Sequence, residues 1–154
     1  MELSNLLMPE AVKVIGQISS KKRLFQKLGE IISSAYSIKE SVAINSLIER
    51  ENLGSTGVGN GVALPHARIA GIDTVVGGFL RIEQPLDFSS VDRQPVDLIF
   101  TLFAPEDSGV EHLKALALIS RTMRNKAICE KLRSNNDPIT LHALLTNGEA
   151  IKAA

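Results

Sequence analysis

Apolar residues recur at helical spacing from about residue 20. Leu24, Phe25, Leu28, Ile31, Ile32 and Ala35 fall at i, i+1, i+4, i+7, i+8 and i+11, one stripe on a helix that starts near Ser20. A second helix is expected from about Ile38 to Leu53, with Ala43, Ile44, Leu47 and Ile48 inward and Gly54 at its C′ position. A glycine-dense stretch follows, and then the period changes from helical to extended. Val62–Ile69, Thr74–Ile82 and Val96–Ala104 read as strands, the last apolar enough to lie inside a sheet. Ser108-Gly109-Val110-Glu111 fits a capping box, and the helix it opens runs through Leu113, Leu116, Ala117 and Ser120 to about Thr122. A shorter helix is expected around Lys126–Arg133, and another after Asp137-Pro138, an N-cap and N1 pair. The fold class is therefore α/β. Thr74–Ala104 holds two strands with no helix between them, so the sheet is expected to be mixed parallel and antiparallel, flanked by helices. No repeat or Pro/Gly/Ser-rich linker divides the chain, which reads as a single domain over 1–154.

Charge narrows the function classes. Seventeen Lys+Arg balance seventeen Asp+Glu, so the basic footprint of a nucleic-acid binder is missing. No stretch approaches the roughly 20 apolar residues that span a bilayer, so no stable membrane insertion is expected. The first residues lack the basic and long apolar regions of a secretory signal. Cys129 is the single cysteine and cannot form an internal disulfide, which fits a reducing, cytoplasmic compartment.

Candidate chemistry concentrates between Arg50 and Arg68. Gly54-Ser55-Thr56-Gly57-Val58-Gly59-Asn60-Gly61 holds four glycines in eight positions, which lets backbone N–H groups approach an anion, and Ser55 and Thr56 add hydroxyls. It is not a Walker A loop, because Asn60 follows Gly59 with no Lys-Ser/Thr, and it precedes a strand, unlike a Rossmann turn. His66 follows Pro65, whose fixed φ stiffens the chain. In an extended segment Leu64, His66 and Arg68 share one face. A neutral imidazole is a nucleophile near pH 7 without an external base. A strand-end histidine also serves as a satisfied structural group, and the residues alone leave both roles open. Arg50 continues the inward stripe of the second helix, where it either complements the helix C-terminus or clamps an anion. His112 lies in the first turn of the Ser108 helix, in line with Leu116, Ile119 and Met123, facing either an anion or a carbonyl. His142 reads as structural or exposed, and Cys129 as core. There is no H-E-x-x-H, C-x-x-C or G-x-S-x-G motif, so a zinc hydrolase would need His66, His112 and an unidentified ligand.

Glu51 followed by Val58-Gly59-Asn60-Gly61-Val62-Ala63-Leu64-Pro65-His66-Ala67 resembles the motif of the IIA components of the bacterial phosphoenolpyruvate-dependent phosphotransferase system, mannitol/fructose type. The likeness continues through Gln94–Phe100 and Glu111-His112-Leu113. It implies a phosphohistidine carrier with His66 as phosphoacceptor at Nε2, Arg50 and His112 as phosphate stabilisers, and Ser55, Thr56 and Gly57 as supporting donors. No metal and no cofactor is implied. Arg50-Glu51-x-x-Gly54-Ser55-Thr56-Gly57 resembles the nitrogen-regulatory branch, which ends a phosphorelay. The implied partners are a nitrogen-type HPr-like phosphocarrier and regulated proteins such as transporters or sensor kinases. A free-standing fructose- or mannitol-type unit, feeding a sugar permease, is the alternative. A binding module that forms no covalent intermediate belongs to a different class. Docking is expected on an apolar rim around His66, including Val58 and Leu64.

Overall fold

The computed structural model describes residues 1–147. A short 3-10 turn at Leu3–Asn5 leads into β1 (Leu7–Ile15), followed by α1 (Lys21–Tyr36) and α2 (Glu40–Asn52). The strands β2 (Gly57–Gly59), β3 (Val62–Ala63), β4 (His66–Ile69), β5 (Val76–Leu86) and β6 (Val96–Pro105) come next. Helices α3 (Val110–Met123), α4 (Lys126–Arg133) and α5 (Pro138–Thr146) complete the described chain.

The sheet order is β1-β5-β6-β3-β2, with β4 also on β6. β1–β5, β3–β6 and β4–β6 are parallel, whereas β5–β6 and β2–β3 are antiparallel. The mixed sheet flanked by helices is thus the expected architecture. β6 is buried along nearly its whole length, as a strand covered on both faces must be. Phe79, Phe88, Phe100 and Phe103 are fully buried and are among the largest side chains of the core. One-sided stripes account for α1, whose Leu24, Phe25, Leu28, Ile31 and Ile32 are buried and whose first turn is capped by the Ser20 hydroxyl. Gly29 lets Ile44 of α2 press directly on α1, since a Cβ there would collide with the Ile44 side chain.

Three expectations change. β1 has no counterpart in the hydrophobic pattern: Pro9 and Glu10 interrupt its alternation, and its register on β5 shifts between Leu7 and Val12. The run Val62–Ile69 is two short strands, but both pair with β6 at the same offset, from Val62 with Leu98 to Ile69 with Pro105. The break falls at Pro65, which has no N–H to give the ladder. The capping box at Ser108 does not form. Gly109 is the N-cap with φ −105° and ψ −94°, Ser108 Oγ is buried without a partner, and Glu111 lies beside Lys114 instead. One glycine too many separates the hydroxyl from the helix for the reciprocal pair to close.

Candidate functional site

His66 is the first residue of β4, and the bend before it is held on both sides. The Pro65 carbonyl accepts from the Leu102 N–H at 3.0 Å and from Thr101 Oγ1 at 2.9 Å, the latter fully buried in β6. The Leu64 carbonyl lies 2.8 Å from His66 Nδ1. A carbonyl only accepts, so Nδ1 carries the proton, and in the neutral ring Nε2 keeps its lone pair.

Strand alternation puts Arg68 on the same side as His66, and α3 brings His112 over both. The two imidazoles meet edge to face, with ring centroids 5.8 Å apart at 87°. Arg68 Nε donates to His112 Nδ1 at 3.2 Å. Because guanidinium only donates, His112 Nδ1 is the acceptor, and its proton sits on Nε2 as a second donor in the site. His112 is buried and His66 half-buried. Arg50, in the last turn of α2, donates from Nη1 to the Gly54 carbonyl at 3.0 Å, and its charge acts on His66.

Both histidines are held below the ordinary imidazole range. For His66 burial is the main cause and the Arg50 charge adds to it, against the opposing Leu64 carbonyl and Glu51. For His112 burial again leads, followed by His66 and Arg68. The neutral rings are thus favoured near pH 7, the state in which His66 Nε2 can attack an electrophile.

The glycine loop is arranged differently from a phosphate nest. Thr56 donates its N–H and its hydroxyl to the Glu51 carboxylate at 2.7 and 2.6 Å. Ser55 Oγ donates to the Phe88 carbonyl and accepts from the Gly57 N–H, both at 3.1 Å. Gly57 itself lies so close to Ser90 that any Cβ would strike its side chain. The donors of Ser55, Thr56 and Gly57, expected to face an anion, are instead taken up by the Phe88 carbonyl, the Glu51 carboxylate and Ser55 Oγ respectively. The glycine at position 57 serves close packing of the loop on the Ser89–Asp92 turn, which also accepts Asn60 N–H at Asp92.

The sequence brings Arg50, His66 and His112 to attention, and the fold gathers them at one end of the sheet. Arg68, flagged only by strand alternation, gains a role through His112. Lys21 has no local signal: it crosses from the start of α1 to Glu51 at 3.3 Å and to the Phe88 carbonyl at 3.1 Å. His142 bonds to the Leu7 carbonyl at 2.8 Å, and Cys129 is buried with its thiol raised by desolvation, so both take the structural places expected of them. Of the expected docking rim, Val58 is exposed, but Leu64 is buried and lines, with Val58 and Met123, a cleft of about 350 Å³. Leu53 at the end of α2 and Val110 and Leu113 in the first turn of α3, at 84%, 63% and 63% exposure, are exposed apolar side chains. Among the described residues no His, Cys, Asp and Glu side chains are grouped for a metal ion, and no helix is long and apolar enough to cross a membrane.

The arrangement of this sheet and its helices is the IIA fold: the crystal structure of the mannitol IIA of Escherichia coli superposes with a TM-score of 0.71 over 86% of this chain and 95% of that one, at 16% identity. Residues 5–148 match the family described as phosphoenolpyruvate-dependent sugar phosphotransferase system, EIIA 2, and the chain belongs to that family. It is 40% identical over 145 residues to a nitrogen regulatory protein of Bradyrhizobium diazoefficiens, covering 94% of this chain and 95% of that protein. The crystal structure of nitrogen regulatory protein IIA-Ntr from Neisseria meningitidis is similar at a TM-score of 0.86 and 35% identity, covering 94% of this chain and 99% of that one. The protein is a IIA component of the phosphotransferase system.

Proposed function

We propose that the chain works as one IIA domain over 1–154 and carries a phosphoryl group on His66 Nε2. The group comes from a phosphohistidine on an HPr-like carrier of the nitrogen type, in the cytoplasm. The observation that carries this reading is the 2.8 Å contact between His66 Nδ1 and the Leu64 carbonyl, which leaves Nε2 unprotonated beside Arg50, Arg68 and His112. The N–P bond of the donor breaks as the bond to His66 Nε2 forms, and the donor imidazole leaves with the electron pair. His66 keeps its Nδ1 proton on Leu64 throughout, so no base is required. Charge in the transferred group lies on its three equatorial oxygens, and positioned cations supply most of the acceleration. Arg50 and the His112 N–H are the stabilisers. Ser55, Thr56 and Gly57 support the site by giving the loop its shape. No metal ion or nucleotide enters the step.

The bound phosphate adds charge of about −1.5 to −2, by analogy with other phospho-residues, to a chain whose formal net charge is zero. On this reading the exposed apolar residues Leu53, Val58, Val110 and Leu113 belong to the surface a carrier or a regulated protein meets. Regulation of targets such as transporters or sensor kinases by phosphorylation state follows from this reading, supported by the nitrogen regulatory relatives. Incubation with phosphoenolpyruvate, enzyme I and the carrier is expected to give an acid-labile, alkali-stable phosphate on the chain; uptake at an unchanged rate by His66→Ala overturns the assignment. The family description, which names a sugar system, favours a second reading as a fructose- or mannitol-type IIA unit. Transfer of the label to a sugar-permease IIB component would establish that reading instead.

A further inference from the structure

A continuous chain of contacts runs from α1 to the reactive imidazole. Lys21 Nζ lies 3.3 Å from Glu51 Oε2, 4.2 Å from the centre of the Phe88 ring, and donates to the Phe88 carbonyl. Glu51, whose side chain is 7% exposed, accepts from the N–H and the hydroxyl of Thr56. The Thr56 carbonyl accepts the Leu64 N–H at 2.9 Å, and the Leu64 carbonyl takes the His66 Nδ1 proton. The adjacent Arg50 holds the Gly54 carbonyl, so consecutive residues of α2 grip both ends of the Gly54–Thr56 turn.

We propose that Glu51, backed by Lys21, is the positioning residue of His66: through Thr56 and Leu64 it fixes the carbonyl that sets the orientation and protonated nitrogen of the imidazole. The inference rests on the reading of His66 as phosphoacceptor. A buried carboxylate needs its hydrogen bonds and a counter-charge, and here both come from groups that shape the site. Two donors on Thr56 and one ammonium satisfy Glu51, and in return the turn that carries Thr56 has a single stable place. If the Thr56 carbonyl shifts, Leu64 loses its N–H partner and the carbonyl two residues before the ring is no longer fixed. An imidazole released from Leu64 populates the other tautomer, whose Nε2 is protonated and cannot accept a phosphoryl group. Glu51 touches neither the reacting atoms nor the phosphate; it acts through two intervening residues.

The variant Glu51→Gln keeps the shape but loses the charge, the Lys21 pair and one of its two acceptor oxygens. Label uptake from the phosphorylated carrier is expected to slow on the order of tenfold or more, as misplaced reacting groups do. His66 titration, followed by NMR of the imidazole nitrogens, is expected to move to lower pH, since Glu51 opposes the effects of burial and of the Arg50 charge. The ring nitrogens are also expected to show a mixture of tautomers in place of a single Nδ1–H form. Lys21→Met removes the counter-charge from a partly exposed position and tests the same chain from its other end, with a native circular dichroism spectrum as the control for folding. It is expected to slow uptake in the same direction, with the double variant no slower than Glu51→Gln, because the two act as one unit. Wild-type uptake and an unmoved titration and tautomer in Glu51→Gln overturn the proposal, as does an additive double variant. The NMR measurement needs no phosphate donor: absence of label on wild-type His66 counts against the phosphoacceptor reading, while the tautomer readout still decides the role of Glu51.

Discussion

The Leu64 carbonyl and the Nδ1 of His66 are 2.8 Å apart, two residues along one chain and on either side of a proline that lacks an N–H. This contact selects one tautomer of the ring. It predicts that the phosphoryl group is found on Nε2 and not on Nδ1, a difference that ³¹P and ¹⁵N NMR of the phosphorylated protein reads directly. His66→Ala is expected to abolish uptake with a native circular dichroism spectrum, because the half-buried ring is a minor part of the core.

Arg50 and His112 are expected to separate chemistry from docking. Removing one positioned donor to a charged transition state lowers the rate about a hundredfold. Arg50→Ala and His112→Ala should each slow transfer by about that amount, while affinity for the unphosphorylated carrier, measured by calorimetry, changes little. Equal loss of affinity and rate in both variants would place them in the docking surface instead.

Acidification should weaken the fold through both imidazoles. Each is held below its unfolded value of about 6.5, so the unfolded chain binds more protons in the window below that pH. Their contribution to stability is complete above about pH 6.5 and is lost as pH falls through the lowered values. Melting temperature measured from pH 7.5 down to pH 5 is the check: the wild type is expected to fall more steeply than the His66→Gln, His112→Gln double variant.

Gly57 and Ser90 form a matched pair in the loop that carries the site. A Cβ at position 57 would collide with the Ser90 side chain, so Gly57→Ala is expected to cost about 1–3 kcal/mol, as overpacking does. Ser90→Gly in the same chain should recover most of it. Ser90→Ala alone is expected to be neutral or slightly stabilising, because the buried Ser90 hydroxyl has no partner to lose. Chemical denaturation of the wild type and these three variants is the check.

The local pattern was a faithful guide wherever one residue type suffices for one local task. The buried stripe of α1, the Lys126–Arg133 helix, and the Asp137-Pro138 start of α5 follow from spacing and capping alone. β1 escaped it because an edge strand with Pro9 and Glu10 need not alternate. The Ser108 capping box failed because a motif in sequence does not determine the backbone angles of Gly109.

For the site, the sequence by itself determined the candidate imidazole and its stiff approach: Pro65 before His66, a cation at the end of the second helix, and a histidine in the first turn of α3. Tertiary structure alone decided how they are used. It set His112 across from His66, gave Arg68 to His112, and turned the glycine loop's donors inward onto Glu51 and Phe88. The physical reason is that a hydrogen-bond donor is local but its acceptor is not. Residues 21, 51, 88 and 112 lie far apart in the chain, and only packing of α1, α2 and α3 against one sheet settles which partner each donor finds.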